Sequence, residues 1–158
     1  MRLHVAVPLR WSDIDAYAHV NNAAMLHLLE EVRIEAFWVT GEDADSPDRV
    51  GPRVLDGRPG SETLALIARQ EIEYLEPIPF QRAPLDAEVW ISRIGGASLE
   101  LQYEIYTPAG VDPRVLYTRA ATTLVLANAA DSKPRRITAA EKQAWSPYVE
   151  DAIRFTRR

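Results

Sequence analysis

Residues 22–39 read NAAMLHLLEEVRIEAFWV, and this stretch decides the fold. Met25, Leu28, Leu29, Val32, Ala36 and Val39 recur at intervals of three and four, while Ala23, Leu26 and Phe37 widen the apolar arc. His27, Glu30, Glu31, Arg33 and Glu35 form the polar set. The spacing predicts a helix of about five turns with most of its surface covered. Asn21 or Asn22 supplies the N-cap and Gly41 the stop.

Upstream, residues 3–11 alternate: Leu3, Val5, Val7, Leu9 and Trp11 point one way, His4, Ala6, Pro8 and Arg10 the other. That is a half-buried strand, and Pro8, which cannot donate to a ladder, places it at an edge or at an irregularity. Downstream, residues 41–62 hold four of the seven glycines and three of the eleven prolines, which predicts a long loop of the kind that carries function. Four strand-like runs follow, at 63–75, 85–94, 98–107 and 114–127, with Gly95-Gly96 marking a tight turn between the second and third. The last run is apolar on both faces near its end, as for an inner strand. Thr138 with Glu141 three residues on forms a capping box for a short helix that Pro147 ends. The order predicts an α+β domain, a five-stranded antiparallel sheet burying one face against one long helix.

The chain has 158 residues, enough for a single domain over 1–158, with a core of about 3–130 and a short helix and basic tail over 131–158. Eighteen Lys and Arg against 23 Asp and Glu leave a net charge of −5, a poor match to nucleic acid. Cysteine is absent, which excludes a disulfide scaffold, a thiolate zinc site and a thiol nucleophile. The opening residues do not read as a signal peptide and no apolar run is long enough to span a membrane, so a cytoplasmic location is expected. The basic residues after Ser132 read either as a solvated terminus or as contacts to a phosphorylated ligand.

The chemistry concentrates in Trp11-Ser-Asp-Ile-Asp-Ala-Tyr-Ala-His-Val-Asn-Asn22, between the first strand and the long helix. Asp13, Asp15, Tyr17, His19, Asn21 and Asn22 fall within ten residues of one another. They precede a helix N-terminus, whose unpaired N–H groups suit a developing oxyanion. A carboxylate there is a candidate nucleophile or general base. The bland alternatives are a turn-forming aspartate, a histidine that braces the loop, and Asp-x-Asp with a histidine four residues on as a metal site lacking further ligands.

This constellation resembles a known family. The strand followed by Arg10-Trp11-Ser12-Asp13-Ile14-Asp15, His19-Val20-Asn21-Asn22 and a helix bearing Glu30-Glu31-x-Arg33-x-Glu35 is similar to hotdog-fold acyl-CoA thioesterases of the 4-hydroxybenzoyl-CoA thioesterase type. Glu71-Ile-Glu-Tyr-Leu-Glu-Pro77 adds to the likeness. The resemblance implies a sheet wrapped around one long central helix, a homodimer paired edge to edge or a homotetramer, and active sites at the dimer interface. It implies hydrolysis of acyl-CoA, or of an acyl-carrier-protein thioester, to free acid and thiol, with no metal and no organic cofactor. Asp15 then attacks the carbonyl or activates water, His19, Asn21 and Asn22 position the loop, and the backbone N–H groups of Val20, Asn21 and Asn22 hold the oxyanion. Tyr17, Glu31, Arg82 and Arg93 are weaker candidates for substrate binding, and Trp11, Trp38, Trp90 and Tyr103 for the acyl pocket or the core. Relatives carry Gly where this chain has Ala18, so the path of the loop is a point to inspect. The rival functions on the same fold are a non-catalytic acyl-CoA-binding protein and a hydratase or dehydratase.

Overall fold

Pro8 sets the first boundary. In the computed structural model, which describes residues 1–39 and 52–156, strand β1 (Leu3–Val7) stops just before it. β1 turns Val5 and Val7 inward and pairs on one side only, antiparallel to β5 (Leu85–Ile94). After a 3₁₀ turn at Trp11–Asp13 the chain enters α1 (Asn22–Phe37). Asn21 is the N-cap, and its side chain accepts from the Ala23 N–H at 2.8 Å.

Met25, Leu28, Leu29, Val32, Ala36 and Phe37 are buried as the period predicts. Each large apolar side chain among them contributes about 1.5–3 kcal/mol relative to exposure. Three residues depart from the reading. Ala23 and Leu26 lie on the exposed side, and Arg33, expected among the wetted residues, is buried with only 6% exposure. Its guanidinium lies 3.8 Å from Glu30, and Nη1 has no hydrogen-bond partner among the described residues.

The helical part also differs from one long central helix. α1 ends at Phe37, and Trp38–Val39 form β2, paired in parallel with β3 (Leu55–Asp56) from the segment expected to be loop throughout. The expected stop at Gly41 lies outside the described residues. A short C-terminal helix, α2 (Ala139–Trp145), sends Trp145 fully into the core, where its indole N–H donates to Pro52 O at 3.0 Å. Its N-terminus carries the expected capping box, Thr138 with Glu141.

β4 (Thr63–Tyr74), β5, β6 (Ser98–Tyr106) and β7 (Leu116–Asn128) complete an antiparallel sheet in the order β1-β5-β6-β7-β4. Pairs in register place Tyr74, Thr118 and Ile105 side by side, then Ile72, Ala120 and Tyr103, on the sheet face that meets α1. β1 and β4 are the edges, and β4 leaves Leu66 and Ile67 about two-fifths exposed, at 45% and 39%.

The opposite face of β5 and β6 is covered too. Residues 149–153 run across it, with Glu150 N–H donating to Ile91 O at 2.9 Å, Trp90 Nε1 to Asp151 O at 2.9 Å and Ile153 N–H to Gln102 Oε1 at 3.1 Å. Arg2 bridges Glu88, Glu104 and Glu150, and Arg114 bridges Asp86 and Glu88. Among the described residues no helix is long and apolar enough to cross a membrane.

Candidate active site

The segment between β1 and α1 folds back on itself. Ile14 and Val20 form an antiparallel bridge, Asp15 N–H donates to His19 O at 2.9 Å, and Ala18 N–H donates to Asp15 O at 3.1 Å. To close this turn Ala18 takes φ +61°, the left-handed region that a Cβ disfavours. The loop therefore keeps the geometry a glycine would give it, with an alanine in place. His19 bridges Pro79, and Val20 N–H donates to Ile78 O at 2.9 Å, so the loop is docked on the chain leading into β5.

The two aspartates have separate tasks. Asp13 is 2% exposed and accepts from the Arg10 backbone N–H at 2.7 Å and from Arg10 Nη2 at 3.0 Å, which makes it a structural carboxylate. Asp15 is half-buried. Its Oδ1 accepts from the Tyr17 N–H at 2.8 Å and, more weakly, from the His19 N–H at 3.4 Å. Among the described residues Oδ2 has no hydrogen-bond partner and no cation is paired with Asp15. The carboxylate is thus aimed by backbone amides while one oxygen remains available.

The helix N-terminus offers fewer donors than the sequence suggests. Asn21 N–H is engaged by Asp13 O at 2.8 Å and Val20 N–H by Ile78 O, so neither is free for an oxyanion in this conformation. Ala23 N–H is held by the Asn21 side chain. Asn22 N–H, together with Ala24 N–H, remains unpaired among the described residues. Tyr74, from the end of β4, ties its hydroxyl to Asn22 O at 2.9 Å, and burial pushes that phenol's pKa up.

A cleft of about 290 Å³ opens between this terminus and the end of β4. His19 and Val20 border it on the loop side, Met25 and Ile78 supply apolar wall, and Glu76 and Thr118 are its polar members; Asp15 does not itself line it. Tyr74, Ile78, Glu76 and Thr118 are distant in sequence from the loop, and only the sheet register brings them there. A larger groove of about 490 Å³ runs between β1 and α1 and is lined by Arg10 and Glu31 but not by Asp15.

The other candidates separate. Tyr17 is 82% exposed. Arg82 precedes the start of β5 and Arg93 stands near its far end, so they cannot grip one phosphate group together. Arg93 is exposed, 3.9 Å from Glu100. Trp90 and Tyr103 are buried in the fold, Trp38 is partly buried, and Trp11 stacks on Phe80 with ring centroids 4.4 Å apart. Arg119 pairs with Glu73, as a structural cation would. Among the described residues, His4, Asp86 and Glu88 place three possible metal-ligand atoms within 4.8 Å of one another. Asp86 and Glu88 are already neutralised by Arg114 and Arg2, so the cluster is an ion-pair network.

The model of the thioesterase-like superfamily matches residues 9–153. The chain belongs to that superfamily. Among solved structures, this superfamily member is similar to a candidate thioesterase from Pseudomonas aeruginosa, at 26% identity and a TM-score of 0.71, covering 91% of this chain and 98% of that one. It shares its fold with a predicted thioesterase from Bacillus stearothermophilus (21% identity, TM-score 0.71, 96% and 98% covered). It also shares it with a thioesterase from Thermus thermophilus complexed with coenzyme A and zinc (22% identity, TM-score 0.64, 92% of each chain covered). No curated protein matches the sequence.

Proposed function

We propose that this chain hydrolyses acyl-CoA thioesters to a free carboxylic acid and CoA, in the manner of the 4-hydroxybenzoyl-CoA thioesterase type. The observation that carries the reading is the Asp15 carboxylate, oriented by the Tyr17 and His19 amides with Oδ2 unpaired, on a loop continuous with a helix start that retains free N–H donors. A thioester carbonyl set against the Asn22 and Ala24 N–H groups gains stabilisation as its oxygen becomes negative. Asp15 either adds to that carbon, expelling the thiolate and leaving a mixed anhydride for water to cleave, or takes a proton from the attacking water. Both routes end at the same acid and thiol. His19 and Asn21 hold the loop and the first helical turn in place. Superfamily membership and the coenzyme A bound to the Thermus protein support acyl-CoA as the thioester class.

The active unit is a homodimer. The unpaired edge of β4, with exposed Leu66 and Ile67, and the exposed Leu26, Tyr74 and Leu75 near the helix start give one side of the protomer an apolar margin that a second copy covers. The partner then closes the cleft and brings the acyl group within reach of Asp15. Thiol release from a panel of short, long and aromatic acyl-CoA substrates tests the function, with enoyl-CoA hydration followed in parallel. Release of CoA from at least one substrate is expected. Hydration of enoyl-CoA without CoA release, or binding without either reaction, contradicts it.

A further inference from the structure

Thr118 is 1% exposed, and its hydroxyl has no hydrogen-bond partner among the described residues. It stands at the cleft beside the start of α1. Its strand neighbours do not satisfy it: Ile105 on β6 is apolar, and on β4 the Tyr74 hydroxyl is spent on Asn22 O, while Glu76 and His19, which also line the cleft, form no hydrogen bond with it among the described residues. A valine would fill this position with the same shape and no desolvation penalty, so a threonine here is unfavourable for the empty protein. Because Thr118 lines the cleft, its hydroxyl can donate to, or accept from, a polar group lodged beside it.

The cleft is also small. At about 290 Å³ it falls just below the range of pockets that enclose drug-sized ligands, roughly 300–1,000 Å³. An open cleft of this volume admits a short acyl group.

Resting on the thioesterase reading above, we propose that Thr118 determines acyl specificity: the cleft takes a short acyl group bearing a hydroxyl or oxo substituent, which the Thr118 hydroxyl hydrogen-bonds. The polar group satisfies an otherwise orphaned hydroxyl, whereas a plain alkyl chain of the same length leaves it buried and unpaired. Selection of this kind, through a hydrogen bond lost by the wrong substrate, is stronger than selection by one methylene.

The test compares 3-hydroxybutyryl-CoA with butyryl-CoA in the wild type, Thr118→Val and Thr118→Ser. In the wild type kcat/KM favours the hydroxyacyl thioester by about tenfold, the worth of one net hydrogen bond. The ratio falls toward one in Thr118→Val and is largely retained in Thr118→Ser. A wild-type ratio of one or below, or an unchanged ratio in Thr118→Val, overturns the proposal. The same pair is titrated calorimetrically into Asp15→Asn and into Asp15→Asn/Thr118→Val, which reads the affinity ratio without turnover. A hydroxyacyl preference that disappears with Thr118→Val supports the specificity role even if no variant hydrolyses a thioester, a result that would count against the hydrolase reading alone. Equal affinities for the two thioesters, or failure of both to bind, overturn the specificity role.

Discussion

Ala18→Gly should raise the stability of the protein, and the size of the gain follows from one dihedral angle. Ala18 sits at φ +61° in the turn that carries Asp15, and its side chain is exposed, so no packing is lost on truncation. The left-handed region costs an L-residue about 1–2 kcal/mol, a penalty glycine avoids. Glycine loses more backbone freedom on folding, which offsets about 0.5–1 kcal/mol of that relief. The net gain is therefore about 0.5–1 kcal/mol. For a domain of this size that raises Tm by roughly 1–4 °C. Thermal melting followed by circular dichroism reads it directly. Ala18→Val provides the opposite arm, because a β-branched residue tolerates positive φ least, and should lower Tm and thioester hydrolysis together. An Ala18→Gly protein that melts at or below the wild-type temperature would refute the claim that this turn is strained.

Three further outcomes are expected. Asn21→Ala removes the acceptor for the Ala23 N–H and should destabilise by about 1 kcal/mol in urea titrations, while Asn21→Asp keeps the cap. Burial pushes the Glu88 carboxyl up, but hydrogen bonds from Arg2 and Arg114 pull it further down, so its folded pKa lies below the ordinary range. A depressed pKa stabilises the fold above the unfolded value of about 4.3 and loses that contribution as pH falls through the folded value. The Tm advantage of wild type over Glu88→Gln should accordingly be full near pH 6 and shrink on acidification below about pH 4; an advantage independent of pH would contradict the assignment. Ile67→Lys places a charge on the edge of β4 and, if the proposed homodimer forms through that edge, should give a monomer in light-scattering chromatography with the secondary structure retained.

The sheet was legible because its strands announce themselves in two ways, by alternation and by the turns at their ends. Pro8 marked an edge strand and β1 is one, and the apolar stretch at the end of β7 marked an inner strand. The capping box at Thr138 was readable because it is local. The features that escaped are those set by distant contacts. Arg33 falls at a buried place on α1 despite its charge, 3.8 Å from Glu30 and close to Tyr103 on the sheet, whose phenol pKa burial pushes up. Residues 149–153 look like an ordinary polar terminus, yet their backbone caps the outer face of β5 and β6 through hydrogen bonds to Ile91 O and to the side chains of Trp90 and Gln102, partners about fifty to sixty residues away in sequence.

The candidate site divides in the same way. The Asp-x-Asp loop and the N-cap were readable from residue types in a short span, and the division of labour between Asp13 and Asp15 could have been suspected from Arg10, three residues before Asp13. The engagement of the Val20 and Asn21 amides could not, because their partners are carbonyls of Ile78 and Asp13 chosen by the fold of the loop. Thr118 lies almost a hundred residues from the motif and joins the cleft only through the β4–β7 register.

The carboxylate of residue 15 is the pivot. Thiol release by Asp15→Asn, measured beside its melting temperature on a substrate the wild type turns over, tests this most directly. An amide can accept the Tyr17 N–H as the carboxylate does, so the fold should persist, while hydrolysis falls by about 10²–10⁴ for want of the nucleophile or base. Turnover at the wild-type rate in a folded Asp15→Asn protein would contradict the mechanism.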